Sequence, residues 1–330
     1  MPRSYAAVSE TTPPAAGTHA SGAVPPATDV HQHVWPAALI EALRRRSEPP
    51  RLRGWTLEHA GEPAYEVEPT DHDPAARAEL ARADGLGRAL VSLSSPLGIE
   101  SLPGTEGAEL LAAWHEGARE LPAPFAAWAS ASLEEIDAAG LEQRLDEGFV
   151  GLQLPATALA DAAGYANVAP LLELLERRGR PLFVHPGAAR PASGPAGTGL
   201  PGTDPAWWPA VVDYVAQMHA AWYAFRVHGR PGHPRLRVCF AMLAGLAPLH
   251  GERFAVRAGE RTVVDPEVFL ETSSYGPRAI DAVVRVTGVD ALVHGSDRPY
   301  APPPQSGLGD AAELALRASN PARLLHPEEV

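Results

Sequence analysis

The run Thr28-Asp29-Val30-His31-Gln32-His33-Val34-Trp35 sets two histidines two residues apart. On a strand, residues two apart project from one face, so both imidazoles point the same way. Neutral imidazole is the commonest side-chain metal ligand. Two of them side by side supply half of a four-coordinate site. Among 13 histidines such a pair can arise by chance. It gains weight because two later strand-like runs end in the residue types that complete a mononuclear centre. Pro181-Leu182-Phe183-Val184-His185 is an apolar run that Pro186-Gly187 stops at once. Ala291-Leu292-Val293-His294-Gly295-Ser296-Asp297 ends in a carboxylate. Strand parity puts Asp297 on the side of Val293 and Gly295, and sends His294 outward against helices.

The chain has no lysine, and all 27 basic residues are arginine. No Schiff base can form on a side chain, and no carbamylated lysine can bridge two ions. A centre built only from imidazoles and carboxylates favours one metal over two.

These residues need elements to position them. Short apolar, β-rich runs alternate with helical stretches, which implies a parallel sheet. The strands are expected at 28–35, 88–94, 125–130, 149–154, 181–185, 236–241, 268–273 and 291–296. Eight strand–helix units suit a single (β/α)8 TIM barrel with its site at the C-terminal mouth. Residues 1–27, rich in Ala, Pro, Thr, Ser and Gly, read as a disordered leader, and 28–330 as the barrel. A helix is expected at 37–46, then a Pro-rich insertion after strand 1 at 48–69. The insertion is too long for an ordinary connection. It offers Arg51, Arg53 and Trp55 as substrate contacts, the arginines as carboxylate clamps. Asp73 and Pro74 are a cap and first turn, which accounts for the neighbouring Asp71 and His72 without a metal. His115 falls on an expected surface helix and receives no role. Residues 188–204, Gly- and Pro-rich, read as a lid loop after strand 5. The apolar helix at 209–228 suggests burial on more than one side, as at the interface of a homodimer.

Net charge is -13, which argues against nucleic acid and anionic membrane as partners. No apolar run reaches the roughly 20 residues of a membrane span. The single Cys239 sits in an apolar run and reads as core, which fits a reducing cytoplasm. The expected partner is a small molecule.

Four motifs in order then carry a resemblance. They are Asp29-x-His31-x-His33, His185-Pro186-Gly187, Gly295-Ser296-Asp297-x-Pro299 and Asn320-Pro321-Ala322-Arg323-Leu324-Leu325. Together they resemble the amidohydrolase-related metal-dependent hydrolases, in the branch of aminocarboxymuconate semialdehyde decarboxylase and γ-resorcylate decarboxylase. The resemblance implies one divalent ion, zinc first and manganese as the alternative, held by His31, His33, His185 and Asp297. It implies that Asp297 also takes a proton from metal-activated water. One position departs. Met242 stands where the family commonly has a histidine, and methionine can neither donate a strong hydrogen bond nor take a proton. Tyr275, Arg298, His250 or an insertion arginine could substitute, with Met242 lining the pocket. The leading expectation is hydrolysis of a C–N or C–O bond of a small substrate. The alternative is non-hydrolytic decarboxylation of a small aromatic carboxylic acid. A second alternative, motivated by Met242, is a catalytically impaired ligand-binding homologue.

Overall fold

In a computed structural model, residues 25–59, 61–190, 205–261 and 263–326 are described. All eight expected strands are present, most of them shorter than expected. They are β1 (Thr28–Gln32), β5 (Arg88–Val91), β6 (Phe125–Ala127), β7 (Leu152–Pro155), β8 (Leu182–His185), β9 (Val238–Phe240), β10 (Val268–Glu271) and β11 (Leu292–Val293). The insertion supplies the other three, β2 (Arg51–Arg53), β3 (Thr56–Glu58) and β4 (Tyr65–Glu66), as an antiparallel sheet.

The eight parallel strands form a barrel. β1, β5 and β6 make one run, and β7 through β11 another. Backbone hydrogen bonds join them at both seams. Val30 N donates to His294 O across β1 and β11, at 2.9 Å. Val150 N donates to Ala127 O at 3.0 Å, and Ala129 N to Gly151 O at 2.9 Å, joining β6 to the β7 edge. The strands β7, β8, β9 and β10 are buried end to end, because helices cover the barrel outside and side chains fill it inside. One apolar core runs from Val30 to Leu325, with Trp128 stacked on Phe183 at 5.2 Å in the interior. Among the described residues no helix is long and apolar enough to cross a membrane.

Several local expectations are met by the physics that motivated them. Asp73 caps the helix Pro74–Ala83, its Oδ1 accepting from Ala75 N and Ala76 N. Cys239 is fully buried, and burial pushes its thiol well above the usual range. The helical segments Pro209–Asp213, Tyr214–Ala224 and Phe225–Gly229 run on as one helix with wide turns at both ends. Most of the expected leader, and residues 191–204 of the expected lid, lie outside the described residues.

Others need correction. β1 stops at Gln32 and β11 at Val293, so His33 and Asp297 stand beyond the strand ends. Asp297 sits at φ 59°, in the left-handed region, so strand parity does not decide its direction. His115 is buried, not a surface residue; its Nε2 accepts from Ser130 N at 3.1 Å. The helix Gly104–Arg119 that carries it turns its Leu110, Trp114 and His115 side inward.

Asp29 braces the β1–β11 seam. Its buried carboxylate accepts from His31 N at 3.0 Å, Ser296 N at 3.1 Å and Gln32 Nε2 at 2.8 Å. Asp29→Ala strands three buried donors, and the expected loss is about 3 kcal/mol in urea unfolding. Asp29→Asn keeps one acceptor oxygen and should lose less. Equal stability of Asp29→Ala and the parent protein would show that the seam does not depend on this carboxylate.

Candidate metal centre and cavity

Where the strands run out at the C-terminal mouth, three imidazoles and a carboxylate converge. His31 Nε2 lies 3.1 Å from His33 Nε2. Asp297 Oδ1 is 3.3 Å from the first and 3.2 Å from the second. The His185 ring stands 4.9 Å from that of His31 and 5.2 Å from that of His33, centroid to centroid. One ligand atom from each of the four lies within 4.8 Å of all the others.

The opposite edge of each ring explains the convergence. His31 Nδ1 meets Glu271 Oε2 at 3.0 Å, His33 Nδ1 meets Ser92 O at 3.0 Å, and His185 Nδ1 meets Pro186 O at 2.8 Å. Carbonyls and carboxylates only accept, so each Nδ1 carries a proton, and each ring in its neutral form presents the Nε2 lone pair inward. Bare nitrogens this close repel unless a cation lies between them. Imidazoles held through the far nitrogen are how proteins orient histidine on a metal. The arrangement fits one divalent ion, and the four residues form a metal-binding site.

Burial opposes charge on all three rings. It holds His33 below the ordinary imidazole range and His185 well below it, with His31 adding to both. At His31 burial acts the same way, but Asp297 and Glu271 outweigh it and the pKa is raised. Two rings are therefore held towards the neutral, ligating form, while His31 keeps a second proton to higher pH than an ordinary imidazole.

Glu271, which the sequence reading left without a role, organises this end of the barrel. It is fully buried. Besides His31 it accepts from Met242 N at 3.2 Å, Ser273 Oγ at 2.8 Å and Ser273 N. A side chain at Gly295 would put its Cβ 2.3 Å from Glu271 Oε1, so only glycine fits there. The available signal was the one used for His185: an apolar strand, Val268-Phe269-Leu270, ending in a chemically active residue.

A cavity of about 430 Å³ opens in front of the cluster. Met242 and Tyr275 line it, as expected. Met242 begins a left-handed turn, residues 242–246, with φ between 48° and 63°. Four of those five residues are not glycine, at a penalty of roughly 1–2 kcal/mol each. Burial of Leu243 and Ala244 and the Met242 N–Glu271 bond hold the turn. Tyr300 also lines the cavity, its ring 5.3 Å from that of His33. The insertion contributes Leu57, His59, Glu62 and Tyr65.

The expected arginines are elsewhere. Arg51 pairs with Glu58 at 2.6 Å and Arg53 with the same carboxylate at 3.5 Å. Trp55 lies under the Arg44 guanidinium at 4.9 Å, and Arg298 pairs with Asp84 at 2.8 Å. None of these four lines the cavity. His72, set aside in the sequence, is buried against Trp35, with rings stacked at 4.4 Å, and accepts from Trp35 N. Burial, with Arg77 and His33 adding to it, holds His72 down to about 3.

No protein-family model and no curated protein matches the sequence. Solved structures do. IDCase from Metarhizium anisopliae in its apo form is 18% identical over 93% of this chain and 98% of its own, with a TM-score of 0.72. The 2,6-dihydroxybenzoate decarboxylase from Rhizobium is 17% identical over 92% and 99%, with a TM-score of 0.65. The 5-carboxyvanillate decarboxylase from Novosphingobium aromaticivorans, complexed with manganese and 4-hydroxy-3-methoxy-5-nitrobenzoic acid, is 13% identical over 91% and 95%, with a TM-score of 0.65. The chain has their fold. The barrel expected from the sequence is thus matched over nearly the whole length of each.

Elemental analysis after metal supplementation should give one divalent ion per chain. Glu271→Gln removes the charge behind His31 and should weaken metal binding by about 10–100-fold with the fold kept. His115→Ala should lower stability and leave metal content unchanged. Undiminished affinity in Glu271→Gln would remove that residue from the centre.

Metal affinity should also depend on pH with a definite sign. Because the pKa of His31 is raised, its proton persists to higher pH and competes with the ion. Affinity should rise with pH until that proton is gone, with about one proton released per ion bound in the lower range. A pH-independent affinity between 5 and 8 (roughly the range in which imidazoles titrate) would contradict this.

Proposed function

We propose that the chain is a metal-dependent decarboxylase of a small aromatic or cyclic carboxylic acid. The observation that carries this is the cavity: among the described residues no arginine lines it, the chain has no lysine, and the metal centre is its natural anchor for an anion. The shared fold with carboxylic acid decarboxylases supports the same reading over hydrolysis.

In this reading His31, His33, His185 and Asp297 hold one ion, zinc first, with manganese as the alternative. When bound, the ion supplies a Lewis acid that anchors an anionic oxygen of the substrate. Leu57, Met242 and Val215 cover the ring and exclude water, and Tyr275 and Tyr300 flank it. The bond to the carboxyl carbon breaks, its electron pair stays on the ring carbon, and CO2 leaves. A proton takes the vacated position. Asp297, 17% exposed beside the imidazoles, carries that proton from solvent to the ring carbon. Met242 has no proton to give, and Asp297 is assigned as the acid because its carboxylate stands beside the metal-site imidazoles. The position of Asp297 would equally suit taking a proton from water, so hydrolysis of a C–N or C–O bond is the second reading. A homodimer is part of the proposal, supported by Val227 within the long helix and by Leu249, Val256, Val263 and Val264 after it, all exposed.

Metal-loaded protein incubated with aromatic carboxylic acids in deuterated water should release CO2 and place one deuteron on the ring carbon. Oxygen from labelled water should not enter the product; if it does, hydrolysis is the reaction. Asp297→Asn should retain part of the metal and lose about 10²-fold or more in turnover. Turnover near the parent level in that variant would assign the proton to another group.

A further inference from the structure

His31 has a buried carboxylate behind it, whereas His33 is backed by a loop. Its Nδ1 donates to Ser92 O at 3.0 Å, and Ser94 Oγ stands 3.3 Å from the same nitrogen. Ser94 Oγ is itself fixed by Trp35 Nε1 at 2.9 Å. This loop follows β5, and Ser94, Pro96 and Leu97 from it line the cavity. Two tight turns shape it, with Leu97 N donating to Ser94 O at 3.0 Å and Gly98 N to Ser95 O at 2.8 Å. Turns set a loop's shape and leave open where it stands against the barrel.

Its place is set from β7, with β6 lying between. Gln153 of β7 is fully buried, and its Nε2 donates to Leu93 O and to Ser95 Oγ, each at 2.7 Å. The two bonds grip the loop on either side of Ser94. Ser95 Oγ donates in turn to Glu100 Oε1, and Ser130 Oγ reaches the same oxygen at 3.4 Å. A hydroxyl has one proton, so giving it to Glu100 leaves the Ser95 lone pairs for Gln153. The network takes only an acceptor oxygen from Glu100, which a neutral acid supplies. Burial, with Ser95 and Ser130 opposing it, pushes that carboxyl up to about 7. Gln153 and Glu100 are not among the four metal-site residues and do not line the cavity, so any effect on the centre passes through the loop. We propose that Gln153 is a positioning residue for the metal centre. By holding residues 93–95, with Glu100 setting the Ser95 hydroxyl, it fixes the Ser92 carbonyl that orients His33 and the wall that Ser94 gives the cavity. This needs the metal centre alone, and hydrolysis at the same centre would leave it intact.

The test is zinc affinity of the full-length protein by chelator competition, with visible absorption after cobalt substitution as a reporter of ligand geometry, beside stability in urea. Gln153→Leu should weaken zinc binding by about 10–100-fold and shift the cobalt bands. Ser95→Ala removes one link and should weaken it about threefold. Glu100→Gln keeps the acceptor oxygen and should stay within about twofold of the parent protein. Glu100→Ala should match Ser95→Ala, and the pair together should lose no more than either alone. Leu174→Ala, a core truncation in the helix Ala162–Arg177, should lower stability and leave zinc affinity and cobalt bands unchanged. The inference is overturned if Gln153→Leu, or Ser95→Ala should that variant not fold, loses stability but keeps the parental affinity and bands. It is equally overturned if Glu100→Gln falls as far as Glu100→Ala, if Glu100→Ala and Ser95→Ala add, or if Leu174→Ala weakens zinc binding as much as Gln153→Leu.

Discussion

The contact between His31 Nδ1 and Glu271 Oε2, 3.0 Å long and wholly buried, is the constraint on which this end of the barrel depends. It joins β1 to β10, residues 240 apart in sequence. Placing a carboxylate in a closed interior is unfavourable unless its oxygens are filled with donors. Glu271 fills them with an imidazole, two backbone N–H groups and a hydroxyl. The same bonds set the His31 tautomer, pin the start of the turn at Met242 and fix the loop after β10. The metal centre is thus part of how the barrel's mouth is folded.

Electrostatics at the mouth follow from this. The fold buries Glu271 completely and leaves Asp297 partly exposed, close to two rings that burial holds towards the neutral form and to His31, whose pKa is raised. Negative charge exceeds what one protonated imidazole can balance. A divalent ion removes the imbalance and the lone-pair repulsion together, which is why the donor set suits a metal better than a proton relay. The cavity in front is the opposite, with apolar walls, tyrosine hydroxyls and, among the described residues, no arginine.

How much of this was legible depended on whether the deciding partner was near in sequence. His31, His33, His185 and Asp297 could be read because each stands at or just past an apolar strand, where a barrel places its chemistry. Eight strands could be read from alternation alone, although their ends could not. Asp297 could be singled out by type but not by parity, since its backbone leaves the strand before reaching it. Arg51 and Arg53 resembled free clamps because nothing in the sequence shows that β2 pairs with β3 and delivers Glu58 to both. His115 looked exposed because alanines and glycines blur the apolar stripe of its helix. Glu271 and Gln153 went unassigned for the same reason: a buried carboxylate and a buried carboxamide are recognisable only by what surrounds them.

Gly295 carries a consequence for how this protein can change over time. With the Glu271 carboxyl filling the space a Cβ would take, the two positions behave as one unit of variation. A larger residue at 295 cannot be tolerated while glutamate stays at 271, and shortening 271 frees 295 at once. The order of substitutions along any lineage is therefore constrained: loss of the carboxylate comes first, and the His31 orientation goes with it. A descendant with a side chain at 295 has already given up the buried brace behind its first metal-site histidine, and its sequence would record that loss at a position that never touches the ion.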